Sequence, residues 1–242
     1  MLHKVVVVVG ATGGIGSALV PKLAESGAKL VLVARDADRL DELIRNLEDD
    51  YETDYETRAI AIPTDITQYA QVELMVQKAI AQFGQIDVLI NAAGAGVMKQ
   101  FLRIEPQELD QMLDLNLKGN FYTSQAVANV MKDRKIGHIC NVIGILGKHP
   151  MAMAAAYCAS KFGVVGFSKS MADELRRFGI KVTLFYFGGI DSPFWDNVSL
   201  KVDRSKMLTT ETAANAIMFA LSSDPQAVPM EINIQPESHL FF

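Results

Sequence analysis

Short, unbroken apolar runs alternate along the chain with longer segments in which apolar residues recur every three or four positions. The runs are Lys4–Val9, Lys29–Val33, Arg58–Pro63, Ile86–Ile90, His138–Ile143, Lys181–Phe187 and Glu231–Ile234. Most are rich in Val and Ile and do not alternate with polar residues, the pattern of strands buried on both faces. The intervening segments read as amphipathic helices. Ile15, Leu19 and Leu23 form one apolar stripe, and Leu40, Leu43, Ile44 and Leu47 another, with Asp41, Glu42, Arg45 and Glu48 facing water. Val72, Met75, Val76, Ala79, Ile80 and Phe83 form a third. Strand and helix repeated in this way predict an α/β fold, a doubly wound parallel sheet of about seven strands with helices on both faces. No Pro-, Gly- or Ser-rich linker divides residues 1–242, which therefore read as one domain. Residues 51–57 carry a short near-repeat (YETDYET) and read as a solvated loop before the third strand.

Composition narrows the function classes. Half of the residues are hydrophobic and 21% are charged, which excludes a disordered or low-complexity role. A net charge of −5 gives no basic surplus, so no nucleic-acid partner is expected. The run Val5–Val9 is far too short to span a bilayer, and no stretch elsewhere approaches the length needed, so the chain is expected to be soluble with no membrane partner. Cys140 and Cys158 cannot make a disulfide framework, and a reducing cytoplasmic location is the default. His3, His138 and His239 show no metal-ligand spacing, so no metal is expected.

Chemistry enters after the first apolar run, at Gly10-Ala11-Thr12-Gly13-Gly14-Ile15-Gly16. Such a stretch can be a bare tight turn. Here a strand precedes it and a helix follows it in the first strand–helix unit. Glycines let a ligand approach the backbone, and the helix start offers unpaired N–H groups and a partial positive charge that suit pyrophosphate. The second run ends at Ala34-Arg35-Asp36. Ala34 stands where an NAD site usually places a ribose-binding carboxylate, whereas Arg35 can contact a 2′-phosphate. NADP(H) is therefore the preferred cofactor and NAD(H) the second choice. A solvated Arg35, or a ribose contact from Asp36, are the competing readings. Tyr157 and Lys161 are four residues apart, so on a helix they share a face. A nearby ammonium favours the phenolate of a tyrosine, which can then exchange a proton with an alcohol or a carbonyl oxygen.

With these residues in order, the chain resembles the short-chain dehydrogenase/reductase family, in its single-domain branch of Rossmann type, along nearly its whole length. Gly10, Gly14, Ile15 and Gly16, with Thr12 and Gly13 between them, match the family's cofactor turn. Asp65-Ile66 matches the acidic-aliphatic pair at the adenine, and Asn91-Ala92-Ala93-Gly94 the motif beside the adenosine ribose. Asn116, in Leu115-Asn116-Leu117-Lys118-Gly119, matches the family's catalytic Asn, and Tyr157-Cys158-Ala159-Ser160-Lys161 matches Y-x-x-x-K. Gly188, Ile190 and Ser192 match the segment after the sixth strand. The resemblance implies an oxidoreductase that moves hydride between a nicotinamide cofactor and a small or apolar carbonyl or alcohol substrate. Tyr157 would be the acid/base, Lys161 would tune it and hold the ribose, and Asn116 would organise a relay water. A homo-oligomer, dimer or tetramer, is implied as well. Ala155, Ala156, Ala159, Ser160, Gly163 and Gly166, small residues at helical intervals, fit either that interface or packing within the chain.

Two positions depart from the family. The expected catalytic Ser falls at Gly144, and Phe187 replaces a Pro in Phe187-Gly188-Gly189. Losing one hydroxyl donor at such a site costs roughly 10²–10³ in rate. Catalysis is therefore expected to be weakened, with His149 as a candidate replacement donor. The alternative reading is a nucleotide-binding sensor or interaction protein whose catalysis has decayed. The resemblance builds the substrate pocket from Ala95–Phe101, Leu146–Ala156 and the loop from Ser192 toward Met207. Met98, Met151, Met153, Phe194 and Trp195 supply apolar and aromatic surface there.

Overall fold

β-Branched residues are stiff at χ1 and suit an extended backbone, and Val5–Val9 (β1), made of nothing else, is fully buried. The structure, a computed structural model, describes residues 1–50, 58–198, 200 and 202–238. The expected loop at 51–57 lies outside them. The strands that follow are Lys29–Ala34 (β2), Ala59–Pro63 (β3), Val88–Asn91 (β4), Gly137–Val142 (β5), Ile180–Phe187 (β6) and Glu231–Ile234 (β7). They form one seven-stranded sheet in the order β3-β2-β1-β4-β5-β6-β7, and every pairing is parallel. The doubly wound sheet is as the pattern predicts.

The strand ends differ by a residue or two, most at β4, which starts at Val88 instead of Ile86. Asp87 is used otherwise. Its Oδ2 accepts from the Val5 N–H at 2.8 Å and its Oδ1 pairs with Arg134 at 3.1 Å, which closes the lower end of the sheet.

Alternate side chains of β1 feed two cores. Val6 and Val8 point to the face covered by Gly14–Glu25 (α1), Ala37–Asp50 (α2) and Thr210–Leu221 (α7). Val5, Val7 and Val9 point to the face covered by Tyr69–Phe83 (α3), Asn120–Arg134 (α5) and Ala155–Leu175 (α6). Between β4 and α5, Pro106–Met112 (α4) opens with a reciprocal Glu105–Glu108 capping box and runs into a π-helical turn, Leu113–Gly119. Strand order reverses between β1 and β4, and in an open α/β sheet ligands bind at the carboxyl ends of the strands flanking such a reversal. Among the described residues no helix is long and apolar enough to cross a membrane.

Candidate active site

Gly10 leaves β1 at φ +84°, and a side chain there would stand 2.7 Å from the Ala93 nitrogen. A Cβ on Gly16 would stand 2.2 Å from the Gly10 carbonyl oxygen. These two glycines let the turn fold onto itself and onto the end of β4. Gly13 then caps α1 with no side-chain partner. The first N–H groups of α1 are thereby left for a ligand. Thr12, Gly13, Gly14 and Ile15 line a cavity of about 620 Å³, within the range of small-molecule sites. Gly14 lies against Ser192, whose Cβ would be 2.6 Å from a Cβ on the glycine. The loop after β6 is thus drawn over the turn.

A second cleft of about 180 Å³ continues from the first through Thr12, Gly13, Ala92, Ala93 and Gly94. Ala34, Arg35, Asp65 and Ile66 line it, together with Gly10. Asp65 Oδ1 accepts from the Thr67 N–H and hydroxyl at 3.0 and 2.8 Å, and buried Ile66 lies against Gly119 of the π-helical turn. Arg35 is exposed. Asp36 caps α2, its Oδ1 accepting from the Arg39 N–H at 3.1 Å. Arg39, which the sequence reading passed over, turns back from α2. Its Nη2 donates to the Thr12 carbonyl at 2.7 Å, and its side chain lines the large cavity. The available signal was its place four residues after Arg35 on the first turn of the helix.

Tyr157 and Lys161 both line the large cavity, one turn apart on α6. Lys161 Nζ donates to the Val142 carbonyl at 3.1 Å and stands 5.7 Å from the centre of the Tyr157 ring. Burial pushes the Lys161 pKa down to about 8 and holds the Tyr157 phenol above its ordinary range. In the protein by itself, loss of solvation outweighs the cation.

Asn116 sits in the π-helical turn with its side chain committed to protein. Its Oδ1 accepts from the Ala95 N–H at 3.0 Å, and its Nδ2 donates to the Ala95 carbonyl at 2.9 Å and to Ser160 Oγ at 3.1 Å. Its carbonyl accepts from Asn120 Nδ2 at 2.7 Å. The side chain therefore ties the loop after β4 to α6 and does not line the cavity. Asn91 is likewise turned inward. Its Nδ2 donates to Ser124 Oγ and Asn141 Oδ1, its Oδ1 accepts from Thr123, and Asn141 continues to Ser168. Ala92, Ala93 and Gly94 face the clefts instead.

Gly144 lies in the cavity wall at φ +87°, and its Cβ position is 3.5 Å from the Tyr157 hydroxyl. Phe187 is buried, stacks on Phe185 at 5.7 Å and also lines the wall. Gly188 and Ile190 line it too, with Gly188 close to Pro236. Of the substrate-pocket residues, Met98, Met151, Phe194 and Trp195 line the cavity. Met153 does not; it takes φ +68° and is partly exposed. His149, only a candidate donor beside the plainer reading of a loop histidine, is not among the lining residues either.

Residues 4–203 match the family described as short chain dehydrogenase. An uncharacterized oxidoreductase of Staphylococcus epidermidis is 31% identical over 234 residues, covering 97% of each chain. A metagenomic short-chain oxidoreductase, solved in complex with NADP, is 30% identical with a TM-score of 0.82, covering 97% of this chain and 98% of that one. An alcohol dehydrogenase from the archaeon Thermococcus sibiricus, at 22% identity and TM-score 0.90 over 99% of both chains, shares the fold. The chain belongs to the short chain dehydrogenase family.

Proposed function

We propose that this protein is an NADP(H)-dependent oxidoreductase that reduces a small or apolar carbonyl substrate to an alcohol. The observation that carries this is the placement of Tyr157 and Lys161 on one cavity wall, at the end of a groove that begins at the glycine turn. The open N–H groups of α1 and the close-packed Gly10 and Gly16 fit a pyrophosphate there. When bound, the dinucleotide supplies the hydride. Tyr157 gives its proton to the carbonyl oxygen as the carbon becomes tetrahedral, and then regains one from solvent. A phenol held above its ordinary pKa by burial is the protonated acid that reduction requires at neutral pH. Lys161 Nζ, beside Tyr157 and near Gly94, stabilises the phenolate formed and would hold the ribose of a bound dinucleotide. Asn116 acts by holding Ala95 against α6.

The phosphate preference rests on Arg35 and Arg39. Asp36 spends its carboxylate on the α2 cap, Ala34 has none to offer, Arg35 lines the second cleft, and the Arg39 guanidinium bonds the Thr12 carbonyl where the two clefts join. Gly144 favours the second reading, a nucleotide-binding protein whose catalysis has decayed. Nucleotide titration and a ketone panel separate the two. Arg35→Ala and Arg39→Ala each weaken NADPH by about ten- to a hundredfold while NADH changes little, since a charge-assisted hydrogen bond contributes about 1.5–3 kcal/mol. Equal losses for both nucleotides remove the phosphate contact. Ketone turnover that Tyr157→Phe abolishes supports the enzyme; tight nucleotide binding with no turnover supports the decayed reading. We also propose self-association, with half-exposed Phe121 on α5 and Phe162 on α6 in the contact.

A further inference from the structure

Two separately anchored pieces of chain meet above Tyr157. The loop after β4 is fixed by the paired hydrogen bonds between Asn116 and Ala95, which set the position of Gly96. The segment Pro193–Asn197 after β6 is fixed from the other side. Arg204 donates to Asp191 at 2.5 Å, to Asp196 at 2.7 Å and to the Ser192 carbonyl at 3.1 Å, while Trp195 Nε1 donates to the Ile190 carbonyl at 2.9 Å. Between these anchors Phe194 reaches across. Its ring stands edge-on to Tyr157 at 5.9 Å and to Trp195 at 5.3 Å. Its tip rests on Gly96 so closely that a Cβ there would lie 2.3 Å from Phe194 Cζ.

We propose that Phe194, seated on Gly96, is the specificity-determining residue of this site, and that it selects flat ketones such as aryl ketones over branched ones. The inference rests on the carbonyl-reducing reading above and deepens it. An aromatic wall beside the catalytic phenol favours a planar substrate, which gains face or edge contact with the ring. The apolar side chains that share its cluster and the cavity include Met98, Ile143, Leu146, Met151 and Leu200. Arg39, Lys161, Asp203 and Lys206 also line the cavity, so the selection made by Phe194 is one of shape. Gly96 is what lets the ring stand so near: any side chain at that position competes with it for space.

The test compares acetophenone with pinacolone, a branched ketone, using the whole chain and NADPH. Phe194→Ala lowers kcat/KM for acetophenone by about tenfold or more and changes pinacolone by less than about threefold. Gly96→Ala reproduces that loss with Phe194 intact, because the ring is the far end of a flexible side chain and gives way. The substitution meets no backbone strain, because the Gly96 backbone is not among those with positive φ. In the Phe194→Ala background Gly96→Ala adds nothing. Equal losses for both ketones, or independent effects of the two substitutions, overturn the proposal. The chain has one tryptophan, Trp195, in contact with Phe194. Quenching of its fluorescence by acetophenone reads ketone binding without hydride transfer. If ketones bind with the stated preference but none is reduced, the catalytic reading fails and the assignment of Phe194 stands. If ketones are reduced and Phe194→Ala leaves their ratio unchanged, Phe194 does not set specificity and the catalytic reading stands.

Discussion

At position 144 the backbone stands at φ 87° and ψ 157°, a region open in practice only to glycine. Gly144 is therefore not a serine site with its hydroxyl removed; the loop has taken a shape that a serine would resist. Gly144→Ser is expected to destabilise the protein by about 1–3 kcal/mol, measured by urea unfolding, and to raise ketone turnover by less than about tenfold. A gain well beyond that, with stability unchanged, would show that the hydroxyl alone is missing. The roles of single residues were legible in the sequence where local spacing sets them. Tyr157 and Lys161 share a face because they are four apart, and the glycine turn follows a strand. Arg39, Gly144 and the seat of Phe194 were not legible. A guanidinium folding back on Thr12, a positive φ and a ring resting on Gly96 depend on segments far apart in the chain.

The elements tell a similar story. Strands read well because buried parallel strands are apolar throughout, and their ends read poorly because a residue such as Asp87 serves the rim of the sheet instead of the ladder. The π-helical turn at Leu113–Gly119 left no mark in the hydrophobic pattern. On α6 the small residues divide by use: Gly163 packs against Leu117 and Ser160 bonds to Asn116, while Gly166 has open space beside it. The β5–β6 pair carries a titratable hydrogen bond of its own. His138 bonds Thr183 at 2.8 Å, and burial, with the charge of Lys181 second, pushes its pKa down to about 4 from 6.5. Between those values the unfolded chain binds a proton that the folded one refuses, so stability falls as pH drops through that window. His138→Gln keeps a hydrogen-bonding group and cannot protonate. Its loss of stability from pH 7 to pH 4 is expected to be smaller than that of the wild type by an amount on the order of 3 kcal/mol, read from unfolding curves at each pH. Parallel curves for the two proteins would mean that His138 protonates in the native state.

For the molecule as a whole, the alternation of runs and stripes was enough to foresee a parallel sheet wound in both directions, because helices between strands leave little other topology. The polar seam beneath the site could not be foreseen, since Asn91 reads as a ligand contact until its partners Asn141, Ser124 and Thr123 are known. That seam crosses β4 and β5 and locks α5 and α6 onto them. Its rupture would strand several amides away from water, so the centre of the sheet has no inexpensive way to open piecemeal. Deuterium should accordingly enter the amides of Val88–Asn91 and Gly137–Val142 last, on the timescale of global unfolding, and Asn141→Ala should hasten that uptake by about ten- to a hundredfold. The slowest clock in the protein would then be kept by its asparagines, directly beneath the residues expected to do its chemistry.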